Sequence, residues 1–183
     1  MNGKQLVTHG VVPVLTMALM TGLAGAAQAR DSLGVFESWG AFRDAETPRC
    51  FAIAQPAGAS VMPRGDAGDT SVTGRWRPFA AIGYWPRANV RGQVHIRLSR
   101  EIAMRSPLTL SIGERQFTLT GGGADAWAPN RQVDAAIVAA MRSATSMSLS
   151  ARARTGAGFA DTYRLRGAAT AIDAAALGCG RLR

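Results

Sequence analysis

The chain has almost no lysine, little histidine and little cysteine. Lys4 is the single lysine among 21 basic residues, the histidines are His9 and His95, and the cysteines are Cys50 and Cys179. With so few imidazole and thiolate ligands, no His/Cys cluster of metal-ligand spacing can be assembled, which excludes a zinc site. Acidic residues are also scarce, 12 against 21 basic ones, so the formal net charge is +9. The nucleophile-elbow pattern G-x-S-x-G is missing. Gly121-Gly122-Gly123 is glycine-rich but lacks the G-x-x-x-x-G-K-[ST] pattern of a phosphate cradle. No cofactor is expected.

What is present begins with a leader. Lys4 supplies a charged start, Val11 to Ala27 an apolar run interrupted by Pro13, Thr16 and Thr21, and Ala27-Gln28-Ala29 an A-x-A cleavage site, so residues 1–29 read as a secretory signal peptide. No later run approaches the roughly 18 apolar residues of a membrane-spanning helix. Cleavage leaves residues 30–183, enough for a single domain with a core and too few for two. It removes Lys4 and no acid, lowering the formal charge from +9 to +8, and every remaining basic residue is arginine. Arginine without lysine, beside abundant alanine and glycine, reads as compositional bias as much as a binding surface. The charge still predicts attraction to anionic surfaces at low salt.

Two cysteines far apart in an exported chain predict one disulfide, Cys50 to Cys179, in an oxidising compartment. The spacing is nothing like C-x-x-C, and neither cysteine sits at an evident helix N-terminus that would make it reactive. The bridge would close a loop that the chain-entropy model values at about 4–5 kcal/mol.

Along the mature chain, Val35 to Phe42 reads as a first strand with Trp39 in the core, Pro48 as a break, and Arg49 to Ala54 as a second strand with Cys50, Ala52 and Ala54 on one face and Phe51 and Ile53 on the other. Residues 55–75 are rich in Pro, Gly, Ser and Asp, which predicts a long exposed loop. Phe79 to Trp85 and Gly92 to Ser99 are the next strands, with a turn-rich Pro86 to Arg91 between them. In the second, Val94, Ile96 and Leu98 alternate with Gln93, His95, Arg97 and Ser99, so one face is core and the other faces solvent.

Leu108 to Ile112 and Arg115 to Leu119 flank Gly113-Glu114, a two-residue hairpin loop whose first position needs positive φ. That register sets Leu110 opposite Phe117 and Leu108 opposite Leu119. Gly121 to Pro129 reads as a connector holding Trp127, and Asn130 as the N-cap of a helix to about Arg142, with Val133, Ile137 and Met141 as its apolar stripe. Met147, Leu149 and Ala151 mark a strand, and Phe159 to Leu165 another. Asp161 shares the apolar face of that last strand, which places it at a strand end, at a cap, or against a buried donor. Ala168 to Leu177 reads as a final helix with Gly178 as its C′ residue. Many short strands with only two short helices predict a mainly β fold, an antiparallel β-sandwich of the immunoglobulin-like or jelly-roll-like kind.

Two places invite function. Tyr84, Trp85, Arg87, Arg91 and Arg97 gather arginine beside aromatics, a candidate binding patch; export makes nucleic acid an improbable partner and points to a protein or an anionic envelope component. His95 with a serine or aspartate would make a small envelope hydrolase, a reading that fails if His95 has no carboxylate or hydroxyl within reach. A third reading is a structural envelope protein with no dedicated ligand.

Trp39-Gly40-Ala41-Phe42, then Arg49-Cys50-Phe51-Ala52-Ile53-Ala54-Gln55, then the Val133 to Met141 helix through Ser146-Met147-Ser148-Leu149-Ser150, and the ending Asp161 to Asp173, together resemble the invasion-associated locus B family of exported bacterial proteins. The chain departs from that pattern where Arg43 or Asp44 and the Trp127 region stand in place of cysteines, so the family's disulfide framework does not carry over. The resemblance implies a β-sandwich-like fold, a periplasmic or surface location, no recognised enzymatic activity, and in some pathogens a part in host-cell entry. The combined expectation is an exported, non-catalytic protein of the periplasm, or else of the outer surface or medium, that acts by contact.

Overall fold

A computed structural model of the protein describes residues 30–44, 46–61 and 77–180. The leader expected at 1–29 and most of the loop expected at 55–75 lie outside the described residues.

The elements are β1 (Asp31–Phe36), β2 (Trp39–Asp44), β3 (Arg49–Ala54), β4 (Gly58–Val61), β5 (Phe79–Trp85), β6 (Val90–Arg97), β7 (Leu108–Ile112), β8 (Arg115–Gly122), β9 (Asp125–Trp127), α1 (Arg131–Met141), β10 (Ser146–Arg152), β11 (Gly158–Arg164) and α2 (Ala168–Gly180). The strands run in the order β1-β2-β3-β5-β6-β9-β8-β7-β10-β11-β4, and each named strand pair is antiparallel. The fold is therefore mainly β and sandwich-like, with two helices. β8 belongs to both halves: Arg115 to Leu119 pair with β7, while Thr120 to Gly122 pair with β9.

Local chemistry accounts for much of this. Gly113 has φ 56 in the β7–β8 turn, and the ladder pairs Leu110 with Phe117 and Leu108 with Leu119. Asn130 is extended and its side chain accepts the Val133 N–H at 3.0 Å, starting α1. Val94 and Ile96 on one side of β6, and Leu98 just after it, are buried.

Five expectations are corrected. Val35 to Phe42 is not one strand but the hairpin of β1 and β2, turning at Glu37 with φ 54 and pairing Phe36 with Trp39. A non-glycine left-handed residue leaves no Asn-Gly or Asp-Gly signal to read. Within the supposed loop, Gly58–Val61 is an edge strand on β11, held by backbone pairing that low strand propensity does not forbid. The supposed connector at 121–129 contains the end of β8 and all of β9, a strand too short to show a period. β6 begins earlier than expected, at Val90, after a 3₁₀ turn over Pro86–Ala88. Finally, Gly178 does not end the last helix: α2 runs on to Gly180, and a side chain at 178 would press into Leu33 of β1. The glycine serves close approach of helix and strand, not a left-handed cap.

One core joins both halves. Trp39, fully buried, donates its Nε1–H to the Arg164 carbonyl at 2.8 Å, bolting β2 to β11. Ala168, Ala171, Ile172 and Ala175 of α2 are fully buried in the same core as Ala41 and Ala52. Cys50 and Cys179 meet as a disulfide pair, Cα atoms 5.7 Å apart, tying β3 to the last turn of α2.

Candidate binding face on the first sheet

Because α2 presses its alanines onto the Cys50, Ala52 and Ala54 side of β3, the larger Phe51 and Ile53 point the other way. The same outward side collects Phe79, Ala81, Gly83 and Trp85 of β5, and Gln93, His95 and Arg97 of β6. Register places them in rows across the sheet. Phe42 lies opposite Phe51, Phe51 opposite Gly83, and Gly83 opposite Gln93. In the neighbouring row, Ile53 faces Ala81, Ala81 faces His95, and His95 faces Trp127. A shallow trough of about 200 Å³ opens there, lined by Arg30, Arg49, Phe51, Phe79, Trp85 and His95 among others.

Arginine and aromatic groups interleave along it. The Arg30 and Arg49 guanidinium groups stand 5.7 and 5.8 Å from the Phe51 ring centre, and Arg97 stands 5.8 Å from that of Phe79. Arg49 also pairs with Asp44 at 3.1 Å, whereas Arg30 has no ion-pair partner among the described residues. The Trp85 ring lies across Gly83, a position where any side chain would collide with it.

At the far end sits a polar cluster. His95 Nε2 and Asp125 Oδ1 are 2.7 Å apart, and Arg97 donates to both oxygens of Asp125 at 3.0 Å. The His95 ring stacks on Trp127, centres 5.0 Å apart and planes 5° from parallel, and meets Phe79 edge-on at 5.1 Å. Burial pushes the Asp125 carboxyl up, but the hydrogen bonds from Arg97 and His95 outweigh it and hold the group below its ordinary value. Arg97 is raised chiefly by its hydrogen bond to Asp125. On the polar side of β6, His95 and Arg97 are thus half-buried and paired, rather than open to solvent as the alternation predicts.

No family model, characterised protein or solved structure matches this chain. The site is accordingly read from its own geometry.

The five residues of the predicted patch are divided by the fold. Trp85 lines the trough and Arg97 stands at its polar end. Tyr84 and Arg91 instead line a separate cleft with Pro86, Val90 and Ala176 beside the end of α2, and Arg87 is exposed on the 3₁₀ turn. A β-bulge between Gly83 and Tyr84 falls where the two sites diverge. Tyr84 has its hydroxyl pKa raised by burial first and by Asp173 second, against the opposing pull of Arg142.

His95 does have a carboxylate within reach, so the condition that would exclude a hydrolase is not met. The pairing nevertheless uses Nε2, the nitrogen that reaches farthest from the backbone, and among the described residues no serine or threonine hydroxyl joins it. Among the same residues, no group of three or more His, Cys, Asp or Glu side chains is placed to hold a metal ion.

Sequence reading missed Asp125, Phe51 and Phe79 as site residues. The order large, small, small, large at Phe79, Ala81, Gly83 and Trp85 was the available signal. Asp134 was missed as well: it is buried in α1 and accepts the Val94 N–H at 2.8 Å, just beyond the point where β9 stops pairing with β6. Burial raises its carboxyl pKa, with the Val94 hydrogen bond opposing.

Proposed function

We propose that the protein is an exported, non-catalytic β-sandwich that acts by contact with an envelope component or another protein through the outward face of β3, β5 and β6. The observation that carries this reading is the trough itself, in which the Phe51, Phe79 and Trp85 rings and Arg49 remain half-buried, Arg30 stands exposed beside them, and no helix covers them among the described residues. Apolar area of this kind is retained at a surface where something binds it. Export is supported by the leader-like residues 1–29, and the Cys50–Cys179 pair fits an oxidising compartment such as the periplasm. No helix among the described residues is long and apolar enough to cross a membrane. Membership of the invasion-associated locus B family, and with it a part in host-cell entry, is supported only by the resemblance in Trp39 to Gln55, Val133 to Ser150 and Asp161 to Asp173.

The test is retention of native envelope extract on the immobilised protein, compared with Ala81→Leu, which fills the trough from a half-buried outward position. Loss of a retained component in the variant is expected. Equal retention by both proteins removes this face from the reading.

The His95–Asp125 contact favours a second reading, a small hydrolase. Turnover of activated esters that disappears in His95→Gln would establish it, and turnover equal to the uncatalysed rate in wild type would end it.

A further inference from the structure

The chemistry of the trough identifies a narrower ligand class, and this inference rests on the contact reading above. Its floor is Ala81, its two ends are Phe79 and the Trp85 ring lying across Gly83, and its walls are Phe51 and Ile53 on β3 and Gln93 and His95 on β6. At about 200 Å³ it holds one ring, well short of the roughly 300–1,000 Å³ sites that enclose a whole drug-sized molecule.

Three features restrict what that ring is. Aromatic faces carry negative quadrupole charge and attract the electropositive C–H face of a saturated ring. The Gln93 amide has no hydrogen-bond partner among the described residues and stands at the rim, so the ligand has polar edges as well as an apolar face. Arg30 and Arg49 stand together at the Phe51 wall, and Arg30 has no ion pair among the described residues, so the charge complementary to this end is an anion that a guanidinium fork can hold.

An acyl chain would leave the half-buried Gln93 amide desolvated without a partner. A peptide strand cannot add to this face by backbone pairing, because β3, β5 and β6 are interior strands with a neighbour on each side.

We propose that the trough is a glycan subsite that takes one carboxylate-bearing sugar ring, stacked between Trp85 and Phe79 with its edge on Gln93 and its carboxylate toward Arg30 and Arg49.

The experiment titrates the purified protein by calorimetry with trigalacturonate, with a neutral trisaccharide, with inorganic phosphate and with hexaglutamate. Saturable binding of trigalacturonate is expected, at least tenfold tighter than the neutral sugar. Ala81→Leu weakens it at least tenfold, and Arg30→Gln with Arg49→Gln removes the preference for the acidic sugar. Should Ala81→Leu not fold by circular dichroism, Gln93→Leu serves at the rim with the same tenfold expectation.

No saturable binding of trigalacturonate overturns the proposal. So does binding indifferent to the trough variants, or hexaglutamate or phosphate binding as tightly, which would mark a site for charge alone. If trigalacturonate fails while Ala81→Leu still abolishes envelope retention, the glycan inference falls and the contact reading stands. If neither occurs, both fall.

Discussion

Asp161 of β11 accepts two hydrogen bonds from Ser99, one from its backbone N–H at 2.8 Å and one from its hydroxyl at 2.6 Å, joining the opposite half of the fold to the segment after β6. The carboxylate is fully buried beside Tyr163, whose hydroxyl is buried without a partner among the described residues. Of the readings that the sequence leaves open for Asp161, pairing with a donor is the one the structure shows, the donor being the half-buried Ser99.

Removing that acceptor orphans two donors, so Asp161→Ala should cost about 2–4 kcal/mol in urea unfolding. Asp161→Asn keeps an acceptor for the N–H and should lose about 1 kcal/mol or less at neutral pH. Burial raises the Asp161 pKa, with the Ser99 hydrogen bonds and Arg100 opposing. A folded value above the unfolded one gives stability that is full below the unfolded pKa, near 4, and is lost as pH rises through the folded value. Wild type should therefore lose stability from about pH 4 upward relative to Asp161→Asn. Parallel curves for the two proteins would show that Asp161 does not titrate in that window.

Asp125 has the opposite sign. Its folded pKa is lowered, so its contribution is complete above the unfolded value near 4 and disappears as pH falls through the folded value. Thermal melts from pH 6 to pH 2 should show a shallower acid loss in Asp125→Asn than in wild type. An equally steep decline in both would assign acid lability to other carboxylates, Asp173 among them, which its hydrogen bond from Arg142 holds low.

Cys50 and Cys179 are separated by 129 positions. Replacing both by serine should cost about 4–5 kcal/mol, since the open chain regains its loop entropy. Mass spectrometry of the protein purified without reductant should find two thiols fewer than in the reduced form. Two free thiols would contradict the pairing, and with it the proposed oxidising compartment.

Gly167 precedes α2 with φ +86, and a side chain there would run into the Phe36 carbonyl of the β1–β2 hairpin. Gly167→Ala should destabilise by about 2 kcal/mol or more, because backbone strain and a backbone collision act together. Gly180 has open space around it, and Gly180→Ala should fall within about 0.5 kcal/mol of wild type. Comparable losses in both would mean that glycine content, not this contact, limits stability.

The sequence by itself determined what local chemistry determines. The β7–β8 hairpin follows from Gly113 and the alternation around it, and α1 follows from Asn130 and its apolar stripe. Two cysteines in a chain with a leader-like start were enough to name the disulfide pair. Period-2 alternation also separated Cys50, Ala52 and Ala54 from Phe51 and Ile53, but did not say which set faces inward. Hydrophobicity alone favours burying the larger pair. Tertiary structure reversed that, because the small side chains of α2 require small partners for close approach, and so left the aromatics on the outer face.

What lies beside what was likewise decided only by the fold. Asp125 is 30 positions from His95 and Ser99 is 62 from Asp161, and neither distance leaves a trace in local pattern. The arginine and aromatic residues from Tyr84 to Arg97 are close in sequence, yet they divide between the trough, a separate cleft and an exposed turn. Strand pattern fixes which residues share a face, whereas pairing order and register fix which of them meet, and those depend on contacts across the whole core.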